Sequence, residues 1–252
     1  MLKRISFLIG LAALATGPAL ADVIDVIVDG SVSGSGSVSV ACGITTPGCE
    51  PIGDGRYRLT SSYTFAGSNT ELGPFDDSGS ATSPIFPASV GGYADQDTTA
   101  TSDTLNIELM GGHFASTSPT YTASESDTVS VSFDLTERSL IELSGGAYAF
   151  PSEPSDVGEL LDSNGNEILV LPNSPSSVFA DLGPGLYRLD ASASGGGQGG
   201  LVSFVDDTDF DLNLDATFSP IAVPEPRWVL FAAFLAIMIG GYAVSWLRRV
   251  VM

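Results

Sequence analysis

Phe210-Asp-Leu-Asn-Leu-Asp-Ala-Thr-Phe218 decides the fold. Phe210, Leu212, Leu214, Ala216 and Phe218 alternate without a break with Asp211, Asn213, Asp215 and Thr217. Successive side chains of an extended strand point to opposite faces, so this segment has one apolar and one polar face. A helix would scatter the same residues around its circumference. The stretch reads as a half-buried antiparallel strand, one side on a core and the other in water. A slip of one residue would bury carboxylates, so the register is strongly specified.

The same period recurs outward from this strand. Val129, Val131, Phe133 and Leu135 alternate with Ser130, Ser132 and Asp134, and Leu105, Ile107 and Leu109 with Asn106 and Glu108. Tyr57, Leu59, Ser61, Tyr63 and Phe65 alternate with Arg58, Thr60, Ser62 and Thr64, while Val32, Gly34, Gly36, Val38 and Val40 stand among serines. No segment from Asp22 to Ala222 keeps a 3.6-residue period over three turns. Asn164-Gly165 between Glu159-Leu-Leu161 and Ile168-Leu-Val-Leu171 marks a hairpin, and Leu182-Gly-Pro-Gly185 a turn into a strand. The fold class expected for 22–222 is all-β, an antiparallel β-sandwich or jelly roll. It forms one domain, or two sub-domains divided near 115–125. The Gly-, Ser- and Pro-rich stretches Gly67–Gly92 and Ser192–Gly200 read as loops, and so does Gly111-Gly-His-Phe114 with the single histidine, His113.

The two ends carry addresses. Met1-Leu2-Lys3-Arg4, the short apolar run Ile5 to Ala15 and Ala19-Leu20-Ala21 make a secretory signal peptide over 1–21, cleaved after Ala21. At the other end, Trp228 to Leu247 is uncharged and apolar on every face, long enough as a helix to span a bilayer. Trp228, Tyr242 and Trp246 sit near its ends, and Arg248 and Arg249 place the C-terminus on the cytoplasmic side. Pro224 and Pro226 hold the preceding peptide extended just outside the membrane. The alternative is an ordinary C-terminal anchor preceded by a chance Pro-Glu-Pro.

Pro224-Glu225-Pro226, one transmembrane helix at 228–247 and a short basic end resemble the PEP-CTERM sorting signal, over 223–252. The resemblance implies processing by an exosortase, an intramembrane cysteine transpeptidase or protease of Gram-negative bacteria often linked to exopolysaccharide production. The secretory translocon and signal peptidase would act first. The ectodomain would then be periplasmic and membrane-anchored as a precursor, and at the cell surface or in the extracellular matrix after processing. Arg227 stands where a small residue is commoner in that family, and only two arginines form the basic end. The hairpin, the Leu-x-Pro-Gly-x-Tyr turn and the last strand of 133–218 resemble bacterial pre-peptidase C-terminal-like sandwiches.

Composition narrows the function. Segment 22–222 holds 29 acidic against 4 basic side chains, a net charge near −25. Such a surface repels nucleic acid and anionic lipid and attracts divalent cations. Cys42 and Cys49 read as a disulfide closing a short loop; a metal or redox pair fits the six-residue spacing poorly. Asp207, Asp209, Asp211 and Asp215 share one face of an unbroken strand, where they either ligate calcium or simply face solvent. Asp162-x-Asn164-Gly165 is no EF-hand loop, because its glycine comes too early. No catalytic residues stand out. His113 has no assignable triad partner, and among 29 acidic residues some pair always matches a glycosidase. The expected function is non-enzymatic: an exported surface or matrix protein whose sandwich associates with exopolysaccharide. A carbohydrate-active enzyme or a calcium-dependent adhesion module with the same tail are the alternatives, and no cofactor other than calcium is implied.

Overall fold

A computed structural model describes residues 23–84, 87–116, 120–149, 157–171, 176–199 and 204–221. The cleavage site after Ala21, the sorting motif Pro224-Glu225-Pro226, the apolar segment 228–247 and Arg248-Arg249 lie outside these residues. Among the described residues no helix is long and apolar enough to cross a membrane.

The described chain is all-β. Thirteen strands follow in order: β1 (Val23–Cys42), β2 (Glu50–Gly53), β3 (Arg56–Asn69), β4 (Gly73–Thr82), β5 (Ser89–Ala100), β6 (Thr104–Ser116), β7 (Thr120–Leu135), β8 (Ser139–Ala149), β9 (Val157–Asp162), β10 (Glu167–Leu171), β11 (Ser176–Leu182), β12 (Gly185–Gly199) and β13 (Phe204–Pro220). They pair antiparallel in two sheets. Sheet A runs β10-β9-β12-β7-β1-β3-β2, and sheet B runs β11-β8-β13-β6-β5-β4. Segment Leu20–Pro220 forms one compact unit. The expected division near 115–125 is absent, because β1 pairs with β7 and β13 with β6, so both halves of the chain build both sheets.

The decisive strand behaves as its pattern demands. Phe210, Leu212, Leu214, Ala216 and Phe218 are buried, and Asp211 and Asp215 are exposed. Phe218 meets Phe133 of β7 edge-on, with ring centroids 5.2 Å apart. Burying each large apolar side chain stabilises the sandwich by roughly 1.5–3 kcal/mol. At Asp162–Gly165 the carboxylate of Asp162 accepts the amides of Asn164 and Asn166, both at 2.8 Å. Gly165 completes the turn at φ 79°, a conformation that strains other residues. After β11, the Tyr187 hydroxyl reaches back to the Gly183 carbonyl at 2.9 Å and pins the Pro184-Gly185 turn.

Three expectations fail for one reason. The stretch 67–92 contains β4 and parts of β3 and β5, 192–199 continues β12, and His113 lies in β6, buried rather than in a loop. Gly67, Gly79, Gly92 and Gly197 of these stretches, like Gly34 of β1, are inward positions over which a side chain from the same or the facing sheet lies. A Cβ on Gly197 would sit 2.2 Å from the His113 ring, on Gly34 2.2 Å from the Phe65 ring, and on Gly92 2.1 Å from a Glu125 carboxylate oxygen. Glycine is core here because a ring or a long side chain fills the space a Cβ would take.

Candidate functional site

The outer face of sheet A is the region built least like the rest of this acidic chain. Across 31–39 of β1, 120–128 of β7 and 60–64 of β3 it presents no charge. Every outward position of β1 from Ser31 to Ser39 is serine, and every one of β7 from Thr120 to Thr128 is serine or threonine. Register places them opposite one another, so hydroxyls bond across the strands. Ser31 meets Thr128 at 2.9 Å, Ser33 meets Ser126 at 2.9 Å, Ser37 meets Thr122 at 3.0 Å, and Ser39 meets Thr60 at 2.9 Å. Each pair spends one hydroxyl hydrogen internally and keeps a second hydrogen and lone pairs for solvent or ligand. Strand geometry sets the hydroxyl rows about 4.8 Å apart, with a repeat of about 6.8 Å along each strand.

This array runs into a groove of about 280 Å³ lined by Thr128 and Ser130 of β7, Asp190 and Ser192 of β12, and Glu159 of β9, with Val129 and Ala191 beside them. The register Glu159–Asp190–Ser130 brings the two carboxylates side by side from distant parts of the chain. Arg188 Nε donates to Asp190 Oδ2 at 2.9 Å and offsets that repulsion, while Asp190 Oδ1 is buried with no hydrogen-bond partner. Beyond the groove, Ile24, Ile27 and Leu186 are 41%, 65% and 59% exposed on the same face, with Asp134 of β7 between Ile24 and Leu186 in register. Hydroxyls, a carboxylate pair and exposed apolar side chains on one face suit a polyhydroxylated ligand, which needs donors, acceptors and some apolar contact.

A second polar region lies between the sheets. The Tyr63 hydroxyl donates to Glu125 Oε1 at 3.0 Å, and His113 Nε2 lies 3.3 Å from the Tyr121 hydroxyl. One step along β7 from Glu125, Asp127 is fully buried, and neither of its oxygens has a hydrogen-bond partner. Burial pushes its carboxyl up to about 8, with a smaller push from the Asp95 charge and an opposing pull from the Thr128 amide.

Backbone register interrupts the line of acidic residues singled out on β13. A bulge between Thr208 and Phe210 inserts Asp209, and register then sets Asp207 opposite the buried His113. Asp211 and Asp215 stay on the exposed side, where Asn106 Nδ2 donates to Asp215 at 2.7 Å. The strict alternation assumed for 207–215 therefore stops at Phe210, because a bulge shifts the parity of everything before it. Among the described residues no three His, Cys, Asp or Glu side chains converge as a metal site. Cys42 and Cys49 are joined by a disulfide, with Cα atoms 6.3 Å apart.

The groove carboxylates Glu159 and Asp190 were not singled out in the sequence. The one signal there was the outward parity of Asp190 in the strand pattern after Gly185.

No family model matches the chain, and no curated protein matches it. Among solved structures it is similar to a chain of infectious bursal disease virus, Gx strain, at 10% identity and a TM-score of 0.17. That match covers 83% of this chain and 64% of the viral chain, and at so low a score it carries no argument.

Proposed function

We propose that the chain is an exported surface or matrix protein whose sandwich binds a neutral polysaccharide on the outer face of sheet A, without catalysis. The observation that carries this reading is the charge-free hydroxyl array in a segment of net charge near −25, ending in the Glu159–Asp190 groove. An uncharged face lets a neutral glycan approach without displacing counterions, and paired hydroxyls exchange hydrogen bonds with sugar hydroxyls at little cost. Neutral glucan in a native gel should retard the full-length protein. Thr128→Val with Ser192→Val, which removes two groove hydroxyls at unchanged charge, should weaken retardation about tenfold. Unretarded migration of the unaltered protein in several neutral glycans would end this reading.

The delivery half of the proposal rests on the Pro224-Glu225-Pro226 tail and is tested separately. Alanine at all three positions should leave membrane insertion intact and block exosortase processing in the native host. An unchanged mature size and location would reject it.

A second reading has one observation in its favour. Cross-strand neighbours such as Glu159 and Asp190 have Cβ atoms about 4.5–5.5 Å apart, and carboxyl groups about 5–5.5 Å apart suit retaining glycosidases. The groove is an open depression on a sheet face, which favours binding. Release of reducing sugar by the wild type, lost in Glu159→Gln, would favour catalysis.

A further inference from the structure

We propose that Asp127 is a proton-dependent lock between the two sheets: its neutral carboxyl lets the sandwich close, and its ionisation loosens the packing around the Glu125 seam. Asp127 projects from the middle of β7 with Val32 of β1 and Ala193 of β12 as its register neighbours, so sheet A offers it no polar side chain, only the Thr128 amide, whose pull burial outweighs. From sheet B it is met by β5 and β6. The inward residues of β5 there are Ala94 and Gln96, and Gln96 directs its amide over Gly30 and to Thr98 instead. A buried carboxylate with no cation and no side-chain donor is unstable as an ion, so it keeps its proton.

The charged and titratable groups around it do not relieve this. On β7 itself, Glu125 is engaged by Tyr63 of β3. On β5, Asp95 carries a negative charge that raises Asp127 further. On β6, His113 is turned over Gly197 and toward Tyr121. On β4, Asp77 lies against Gly67, with one oxygen 3.3 Å from where a Cβ of that glycine would stand. No arginine or lysine of β1, β12, β5 or β6 is available, because the only basic residue on these strands is Arg188, on the outer face with Asp190.

The sign follows from linkage. A carboxyl whose folded value lies near 8 and whose unfolded value lies near 3.9 binds its proton more tightly in the folded state. Stability from this group is full below pH about 4, falls as pH rises, and levels off above pH about 8. Between those limits the folding equilibrium constant drops up to about tenfold per pH unit.

The test compares unfolding of full-length wild type and Asp127→Asn across this range. The wild type should lose more stability than Asp127→Asn as pH rises, and the difference between the two should grow up to about pH 8 and then level off. Should Asp127→Asn fail to fold, carbon-13 NMR of the wild-type carboxyl reads the same quantity and should show a midpoint near 8. A midpoint near 4, or equal slopes in wild type and Asp127→Asn, overturns the lock. So does restoration of wild-type stability at high pH by sodium or calcium, which would make the site a cation site.

Discussion

The two outer faces of the sandwich are built from the same kind of strand and carry opposite surface chemistry. Sheet B sets Asp76 opposite Asp95, Asp97 opposite Glu108, and Asp211 and Asp215 on the neighbouring strand. Its charges repel, and Asp95 shows it: burial and then the Asp76 charge raise its carboxyl above the ordinary value. Sheet A spends its outward positions over 31–39 and 120–128 on serine and threonine, which pair across strands, and returns to charge only around them, at Asp29, Arg58, Asp134, Glu159, Arg188 and Asp190. Sheet B thus lines up carboxylates where sheet A sets an uncharged hydroxyl patch, and under the proposed reading the first repels anionic partners while the second is the contact surface.

The sharpest way to break this picture is to confuse inside with outside on the acidic side. Phe210→Asp should cost more than about 4 kcal/mol and prevent accumulation of folded protein, because it removes a core ring and buries a charge. Its neighbour Asp211→Ser should change stability by less than about 0.5 kcal/mol. Denaturant unfolding or expression level reads the contrast, and a strongly destabilised Asp211→Ser would show that this face does more than face water.

The same contrast on β1 is smaller. A Cβ on Gly36 would lie 2.4 Å from the Tyr63 ring and 2.8 Å from the Thr122 carbonyl, so Gly36→Val should destabilise by roughly 2–3 kcal/mol. Ser37→Val, one position along and outward, should stay within about 1 kcal/mol of wild type. Equal melting temperatures for the two variants would refute the assignment of glycine to the inner face.

Two weaker effects sharpen the comparison. Asp95→Asn should stabilise at neutral pH by roughly 0.5 kcal/mol, less in high salt. Because the folded carboxyl is raised, the gain should vanish as pH falls below about 4 and both states are protonated. Ser33→Ala should cost about 0.2–1 kcal/mol through its bond to Ser126, and Ser33→Ala with Ser126→Ala together should cost less than the sum of the two singles. Thermal unfolding resolves both effects.

Much of this architecture is legible one strand at a time. Period two in 129–135 and 210–218, and the turns at Asn164-Gly165 and Pro184-Gly185, carry local information and gave strands where strands exist. Glycine misled because its meaning is not local. In 192–199 it marks the landing places of His113 and Tyr121, residues that only the folded sheets bring there. The bulge at Asp209 escaped the pattern because apolar Phe204 and Val205 resume alternation of either parity. The groove escaped it because Glu159, Asp190 and Ser130 become neighbours only through register between β9, β12 and β7.

The claim that matters most is that recognition belongs to the neutral face and solubility to the acidic one. Calorimetric titration of a neutral glucan into full-length protein tests it by moving charge between faces. Ser33→Asp with Ser126→Asp places two carboxylates in the hydroxyl array and should lower affinity by at least about tenfold while the fold persists. Asp211→Ser with Asp215→Ser removes two from the other face and should leave affinity unchanged. Binding that survives the first exchange, or is lost with the second, would contradict the account.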